Sequence, residues 1–181
     1  MIVKTNYNKN GFSNAVRKGI HKTSTDIIVI VMADLCDDPK TINKMYKKII
    51  EGWDVVCGSR YIEGGKKIGG PRIQNFFSAL VCKSLHYITN IPTNDVSNAF
   101  KMFKKSIAGE IEYKSDWGVE ASLEFILRAY FKGFRIVDIP TVWRGRTIGK
   151  SKFKLLERSP KYLKIYLWAL ASSLKRTQLT K

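Results

Sequence analysis

Hydrophobic positions along the chain follow two patterns, short continuous apolar runs and longer stretches with apolar residues three or four positions apart. The run DIIVIVMA, residues 26–33, is continuous and β-branched, which is typical of a central strand covered on both faces. WDVVCGSRY, residues 53–61, predicts the next strand, and the spacing between the two predicts a helix that Gly52 ends. Strand, helix and strand in succession favour a parallel βαβ unit, with functional groups at the strand carboxyl ends.

The same reasoning assigns the rest of the chain. It predicts strands at residues 1–5 and 134–143, helices at 12–23, 72–89 and 118–133, a strand running into a short helix at 95–107, loops at 62–71 and 144–154, and a last helix at 155–174 interrupted by Pro160. We therefore expect an α/β fold with a mostly parallel sheet flanked by helices.

Basic residues outnumber acidic ones by 32 to 15, which gives a formal net charge of +17. Residues 144–181 alone hold eleven basic residues and one acid, a net charge of +10. This excess indicates an anionic partner: nucleic acid, an anionic membrane surface or a phosphorylated substrate. The sequence has no recognised nucleic-acid motif and no regular platform of stacking aromatics, so we expect no nucleic acid among the partners.

The number of cysteines and the length of the apolar runs indicate the cellular compartment of the protein. Three cysteines without a CxxC motif argue against a disulfide framework or a zinc site and fit a reducing environment. No signal-peptide region is visible, and no apolar run approaches the ~20 residues of a transmembrane helix. We therefore expect a cytoplasmic protein.

Three carboxylates, Asp34, Asp37 and Asp38, follow the first long apolar run. Like charges repel, and a desolvated acid is costly, so these groups predict a positive partner. At a strand carboxyl end, Asp34 is well placed to hold Mg²⁺ or Mn²⁺, and the metal can hold a diphosphate, with Asp37 as possible support. For Asp38 a helix cap is favoured, because Pro39 suits the first helical position.

Basic side chains follow two other predicted strands. Arg60, in GSRY, ends the strand after the Asp34 strand, and we expect the two side chains at the same sheet edge. The loop RGRTIGKSK carries Arg144, Arg146, Lys150 and Lys152, and its glycines Gly145 and Gly149 make it flexible. Arginine clamps a phosphate with two parallel hydrogen bonds, and lysine adds a point charge. The loop is a candidate lid over a diphosphate, and simple solvation of a basic loop is the alternative.

Several segments occur in the order and at the spacing of a known family. MADLCDDP, DVVCGSRYIEGG, DVSNAFKMFKKS and GVEASLEFILRAYFKGFRIVDIPTVWRGRTIGKSK together resemble the family 2 glycosyltransferases of the GT-A fold, in particular the polyprenol-phosphate (dolichol-phosphate) mannosyl- or glucosyltransferases. The resemblance covers roughly residues 5–155. It implies a partial GT-A domain over residues 1–154, followed by a basic amphipathic helix and tail over residues 155–181.

The resemblance also implies residue roles. The family binds a divalent metal and the nucleotide-sugar diphosphate with an Asp-x-Asp motif, whose second aspartate is Asp34 here and whose first is Met32. Met32 and Cys36 are soft, so the metal site rests on Asp34 with Asp37 in support. Position in the family pattern implies roles for seven further residues: Arg146, Ser151 and Lys152 on the donor diphosphate, Arg60 and Arg72 on the acceptor phosphate, and Asp95 and Glu124 as supporting acids.

Two of these assignments have structural alternatives. Asp95 can cap a turn instead, and Glu124 can be the buried partner of an arginine. The implied reaction is direct displacement, in which an acceptor phosphate oxygen attacks the anomeric carbon of a nucleotide sugar, GDP-mannose or UDP-glucose. A phosphate is already ionised near neutral pH, so no general base is needed, and we expect His21 and His86 to be structural.

Family members begin with a PxYNE-like segment, a helix and a second strand, which bind the base and ribose. This sequence starts at what resembles the third strand, so we expect an N-terminally truncated domain. Three interpretations stay open: a split-gene fragment whose partner chain supplies the missing strands, an inactive copy acting as a binding module, or a protein that binds its donor through the phosphates alone. An unpaired sheet edge would invite a partner.

The end of the chain, residues 161–181, combines apolar and aromatic residues with lysines at helical spacing. A basic helix with aromatics suits a bilayer interface, and a helix packed on the domain with its lysines in water explains the pattern equally well. A polyprenyl phosphate acceptor favours the first. We therefore expect peripheral binding at the cytoplasmic face of a membrane.

Overall fold

The computed structural model describes residues 12–111, 120–146 and 155–179. The predicted strand at residues 1–5 lies outside these ranges, as do Ser151 and Lys152. The described chain contains six helices, α1 Phe12–Lys22, α2 Thr41–Ile50, α3 Arg72–Thr89, α4 Lys105–Glu110, α5 Ala121–Phe131 and α6 Leu155–Leu179. It contains six strands, β1 Ile27–Ile30, β2 Val55–Ser59, β3 Lys66–Ile68, β4 Lys101–Lys104, β5 Ile136–Pro140 and β6 Val142–Arg144.

Four strands form the main sheet in the order β1-β4-β2-β5. β4 is antiparallel to both of its neighbours, whereas β2 and β5 pair in parallel. Strands β1, β2 and β5 therefore run in one direction, which confirms the predicted α/β fold with a mostly parallel sheet. β1 and β2 are not adjacent as a simple βαβ unit predicts, because the strand from residues 101–104 inserts between them.

The sheet carries a hydrophobic core on each face. One face packs against α3, α5 and α6, with Leu85, Phe103 and Ile126 almost completely buried. The other packs against α2 through Met45 and Val56. Each such side chain contributes about 1.5–3 kcal/mol on burial. The strands are thus fixed on both sides, which holds their carboxyl ends in place.

Local signals set the ends of α2. Asp38 Oδ1 accepts a hydrogen bond from the backbone N–H of Lys40 at 3.1 Å, and the Asp38 carbonyl accepts one from Thr41 at 3.1 Å. Asp38 thereby stabilises the turn before the helix. The predicted cap at Asp38 with Pro39 as first helical residue is wrong, because the helix begins at Thr41 with Lys40 at the N-cap position. Gly52 ends the helix as predicted, at a φ of +99°, a left-handed conformation that glycine adopts without steric penalty.

The predicted loop at residues 62–71 is wrong in its middle part. Lys66–Ile68 forms β3, which pairs in parallel with β6 in a second, two-stranded sheet. The single strand predicted at 134–143 is accordingly divided at Thr141. The Thr141 N–H donates to Ser59 O at 3.0 Å, and its carbonyl accepts from Lys66 at 3.0 Å, so this residue joins the two sheets.

Helix α6 runs without interruption from Leu155 to Leu179, so the predicted break at Pro160 is wrong. Pro160 lies in the second turn, where it removes one backbone hydrogen bond near the helix start. Ile165 and Ala169 are buried in the main core. None of the helices in the described ranges combines the length and apolar character needed to cross a bilayer.

Candidate functional site

An acidic turn follows β1 and lies against the start of the predicted basic loop. Asp34 Oδ2 accepts hydrogen bonds from Arg146 Nη2 at 2.8 Å and Nε at 3.1 Å. Its other oxygen accepts the backbone N–H of Cys36 at 3.2 Å. The Cys36 carbonyl accepts the N–H of Arg144 at 2.8 Å, so backbone contacts fix the turn beside β6. The structure therefore brings Asp34 and Arg146 together across 112 residues of sequence.

The charge on Asp34 is stabilised in this position. Burial acts to raise the pKa of its carboxyl, but the hydrogen bonds from Arg146 and Cys36 prevail and hold that pKa below its usual value. Burial, followed by a hydrogen bond with Asp34 and then by the charge of Asp34, raises the pKa of the Cys36 thiol. Asp34 is thus an ionised carboxylate of the kind that a hard cation prefers, whereas the neutral, soft Cys36 is unsuited to such a cation.

Asp37 is a buried carboxylate with an unused oxygen. Its side chain belongs to a residue only 6% exposed, and Oδ1 has no hydrogen-bond partner among the described residues. Burial, followed by the charge of Asp34, raises the pKa of Asp37 to about 6. An orphaned carboxylate oxygen next to a second acid is the environment that a bound cation would relieve.

Asp34 and Asp37 are the candidate ligands for a divalent ion at this turn. The ranges that the structure describes contain no group of three His, Cys, Asp or Glu residues able to hold a metal. Mg²⁺ commonly takes only one or two carboxylates and completes its shell with substrate phosphates and water. Asp34 and Asp37 fit such an ion when a diphosphate accompanies it, as the sequence predicted for this pair.

Arg60 is bound to Asp95 rather than to Asp34. Its Nε donates to Asp95 Oδ2 at 2.6 Å and its Nη2 to Oδ1 at 2.8 Å. Nη2 also donates to Ser97 Oγ at 3.1 Å. Burial disfavours the charged guanidinium, yet Asp95 outweighs burial and raises the Arg60 pKa. None of the described residues accepts a hydrogen bond from Nη1 of Arg60, so this nitrogen remains for another acceptor.

The remaining predicted acids and bases occupy different surroundings. Glu124 is buried and pairs with Arg128 at 2.7 Å, the structural alternative considered for it. Arg72 begins α3 and is exposed. His86 Nδ1 lies 2.7 Å from the carbonyl of Ile91, a contact within the α3 end that supports a structural role.

Lys67 on β3 joins the site although the sequence did not single it out. Its Nζ lies 5.4 Å from the centroid of the Trp143 ring. Burial, followed by the charge of Arg60, lowers the pKa of Lys67 to about 8. Periodicity could not identify the strand that carries Lys67, because three residues between glycine pairs are too few to show a pattern.

Close backbone contacts connect the loop before α3 with the loop after β6. The Gly145 N–H donates to Ile68 O at 2.8 Å. A Cβ on Gly145 would lie 2.9 Å from the backbone nitrogen of Gly70. At Gly70, a Cβ would lie 3.3 Å from the Trp143 ring, so the ring packs close to this glycine. These contacts therefore hold the segment before Arg146 next to the segment before Arg72.

The profile of the family described as "Glycosyl transferase family 2" matches residues 1–112. The dolichol-phosphate mannosyltransferase of Pyrococcus furiosus is 28% identical over 150 residues, covering 80% of this chain and 41% of that protein. The polyprenol monophosphomannose synthase of Mycolicibacterium smegmatis is 21% identical over 170 residues, covering 93% of this chain and 62% of that protein.

Solved structures share the fold. Glucosyl-3-phosphoglycerate synthase of Mycobacterium tuberculosis, crystallised with Mn²⁺, UDP-glucose and phosphoglyceric acid, superposes with a TM-score of 0.65 at 13% identity. The match covers 90% of this chain and 56% of that one. The same enzyme crystallised with Mg²⁺ and UDP gives a TM-score of 0.63. These neighbours confirm the GT-A-like fold predicted for the chain, and the chain spans about half the length of the proteins it matches.

Proposed function

Because the chain belongs to glycosyl transferase family 2, we propose that it transfers a hexose, mannose or glucose, from a nucleotide sugar to a polyprenyl-phosphate acceptor. The observation that carries this proposal is the meeting of Asp34, Asp37 and Arg146 at the carboxyl end of β1. Two acids and an exposed arginine at one sheet edge suit a metal-bound diphosphate. The names of the similar Pyrococcus and Mycolicibacterium proteins support the acceptor class.

The proposed mechanism is direct displacement at the anomeric carbon. Arg146 exchanges its bond to Asp34 for the donor diphosphate and stabilises the charge that develops on this leaving group. A divalent cation, Mg²⁺ or Mn²⁺, held by Asp34 with Asp37, would supply further neutralisation of the leaving diphosphate. Ser151 and Lys152, by their place in the family pattern, add contacts to the same group. The acceptor is the nucleophile in its ionised form, so the chain needs no general base.

The acceptor phosphate is proposed to bind at Arg60 and Arg72. Asp95 fixes Arg60 by accepting hydrogen bonds from Nε and Nη2. Nη1 can then donate a hydrogen bond to the phosphate. Rigid placement of this guanidinium reduces the entropy lost when the acceptor binds. Asp95 then acts as a supporting acid that positions Arg60, and Glu124 supports α5 through Arg128.

We also propose that the chain works at the cytoplasmic face of a membrane. Leu163, Leu167 and Leu174 of α6 are more than half exposed, although the helix packs on α3 and α5. Exposed leucines on a lysine-rich helix suit an anionic bilayer interface. A membrane location would also bring the chain to a lipid-linked acceptor.

A second proposal is a module that acts with a partner chain. The outer edge of β1 pairs with no other strand in the part of the chain that the structure describes. An open edge is a ready template for another strand. A partner that adds strands there would supply the base and ribose contacts of the nucleotide, and the chain would contribute the diphosphate and acceptor side.

Calorimetric titration with GDP-mannose and UDP-glucose, each with and without Mn²⁺, tests the donor site. We expect Mn²⁺-dependent binding of one donor by the wild-type chain and its loss in Asp34→Ala. Asp26→Ala is the matched control, because Asp26 is an exposed acid at the opposite end of β1. Absence of binding by folded wild-type protein would refute a donor site in the chain alone and favour the partner-dependent module.

A further inference from the structure

Leu35, in the acidic turn after β1, is the most exposed large hydrophobic residue in the described part of the chain. It is 88% exposed, whereas the two residues that follow it, Cys36 and Asp37, are 3% and 6% exposed. Both of those residues pair with β6, Cys36 through a backbone hydrogen bond from Arg144 and Asp37 through a bridge to Trp143. The turn therefore covers its second half and presents the leucine to solvent. A single exposed leucine is common on protein surfaces, so its exposure alone assigns no role.

The backbone of Leu35 is a second unusual feature. Its φ of +56° lies in the left-handed region, which is unfavourable for a residue with a Cβ and is normally occupied by glycine, asparagine or aspartate. The other left-handed residues in the described ranges follow this rule, since they are Asn90 and five glycines. A strained backbone conformation is often retained where a side chain has a function. The strain and the exposure of Leu35 therefore together point to a contact made outside the free chain.

The turn places Leu35 next to the candidate diphosphate site. The preceding residue, Asp34, accepts hydrogen bonds from Arg146 at Oδ2 and from the backbone N–H of Cys36 at Oδ1. The carboxylate thus closes the turn around the leucine and at the same time holds the arginine. A molecule that binds at Asp34 and Arg146 lies beside an exposed aliphatic side chain.

We infer that Leu35 covers one face of the base of the donor nucleotide. This inference rests on the proposed function and adds an apolar contact to its charged ones. A leucine stabilises a complex by removing apolar surface from water. The diphosphate of the donor is charged and its hexose carries hydroxyl groups, so the planar base offers the largest apolar surface. The contact gives the exposed leucine a reason to be retained at a position that asparagine or glycine would fill with less strain.

Leu35→Asn separates this role from a structural one, because asparagine suits the left-handed conformation but lacks the aliphatic side chain. We expect the thermal unfolding midpoint to stay the same or rise. UDP or GDP with Mn²⁺ should bind about fivefold more weakly by calorimetry, the effect of leaving roughly half of a leucine side chain in water. Leu35→Met keeps an aliphatic chain and should retain most of the affinity. Ile50→Asn removes an exposed aliphatic side chain from α2 and is the matched control, which should bind nucleotides as wild type does.

Inorganic pyrophosphate with Mn²⁺ identifies the part of the donor that Leu35 contacts. It carries the charges of the diphosphate without a base, so Leu35→Asn and wild type should bind it equally. UDP-glucose and GDP-mannose should be weakened only as much as UDP and GDP are. A loss confined to the nucleotide sugars would place the contact at the hexose and overturn the inference.

Two other results would also overturn the contact with the base. Weaker pyrophosphate binding or a lower unfolding midpoint in Leu35→Asn would show that the leucine only shapes the turn. Equal binding of UDP and GDP by Leu35→Asn and wild type would show that it makes no contact. In either case the proposed function stands if wild type binds a donor through Asp34; if the folded wild-type chain binds none of these ligands, both fail.

Discussion

Asp95 holds Arg60 by two parallel hydrogen bonds, Nε to Oδ2 at 2.6 Å and Nη2 to Oδ1 at 2.8 Å, with the acid fully buried. Asp95 Oδ2 also accepts the backbone N–H of Arg60 at 3.0 Å. One carboxylate therefore satisfies both the side chain and the main chain at the end of β2. The pair fixes the direction in which the remaining guanidinium nitrogen can donate.

Removing the charge of Asp95 should be strongly destabilising. Asp95→Asn leaves Arg60 as a buried, uncompensated cation, and we expect the free energy of unfolding to fall by about 3–5 kcal/mol. Urea unfolding measures this change. Glu51→Gln is the control, since its ion pair with Lys48 is solvent-exposed and should matter by less than about 1 kcal/mol. Equal effects of the two substitutions would contradict a structural role for the Arg60–Asp95 pair.

A metal ion bound at Asp34, as proposed, would compete with Arg146 for Oδ2 of this carboxylate. In Arg146→Gln we therefore expect Mn²⁺ alone to bind several times more tightly, because Asp34 Oδ2 is no longer occupied. The same variant should bind a nucleoside diphosphate with Mn²⁺ about tenfold more weakly, since one charge-assisted contact is lost. Calorimetry measures both constants. Arg144→Gln, an exposed arginine two residues earlier, should change neither; weaker Mn²⁺ binding in Arg146→Gln would exclude the competition.

Gly145 allows two loops to touch. Gly145→Ala places a Cβ 2.9 Å from the Gly70 backbone nitrogen, so the loops must separate. We expect a loss of about 1–3 kcal/mol in the free energy of unfolding and weaker diphosphate binding as Arg146 moves from Asp34. Gly109→Ala is the matched control: nothing lies within 4 Å of a Cβ at this helical position. That variant should be neutral or more stable by about 0.5–1 kcal/mol.

The raised pKa of Asp37 makes stability depend on pH. Between about pH 4 and pH 6 the folded protein retains a proton at Asp37 that the unfolded chain has released, so this group lowers stability as the pH rises. Asp37→Asn should remove that dependence and raise the free energy of unfolding at pH 7.5 by about 3 kcal/mol.

Unfolding curves across pH 4–8 without added metal test this expectation for Asp37. Asp38→Asn serves as the control, because asparagine keeps the hydrogen bond to the Lys40 N–H. A pH profile of Asp37→Asn parallel to that of wild type would show that Asp37 does not titrate in this range.

The sequence predicted those parts of the site that depend on local pattern. A continuous apolar run ending at Asp34 identified the sheet edge, and a basic glycine-containing segment was predicted to be a loop that reaches it. The family resemblance singled out Arg146 within that loop. Gly52 marked the end of α2 for the same reason, since a helix end is encoded within a few residues, whereas Asp38 lies in the turn before the helix, which begins only at Thr41. Membership of the family and the α/β fold also followed from motifs in order.

Contacts between distant segments were not predictable in this way. Arg60 meets Asp95 rather than Asp34, because β4 inserts between β1 and β2, and chain order does not give spatial order. Lys67 was overlooked because its strand has three residues and exists only through pairing with β6. Pro160 suggested a break in α6, but its position near the helix start makes the lost hydrogen bond tolerable.

The small β3–β6 sheet also determines when the site can form. Lys66 pairs with Val142, and these residues are 142 − 66 = 76 positions apart in the sequence. Closing so long a loop is slow relative to forming the helices, so this pairing should follow assembly of the main sheet. During synthesis, β3 must leave the ribosome long before its partner strand exists. The basic side chains of the candidate site would then converge only near the end of folding, and substitutions in β6 should speed unfolding more than they slow folding.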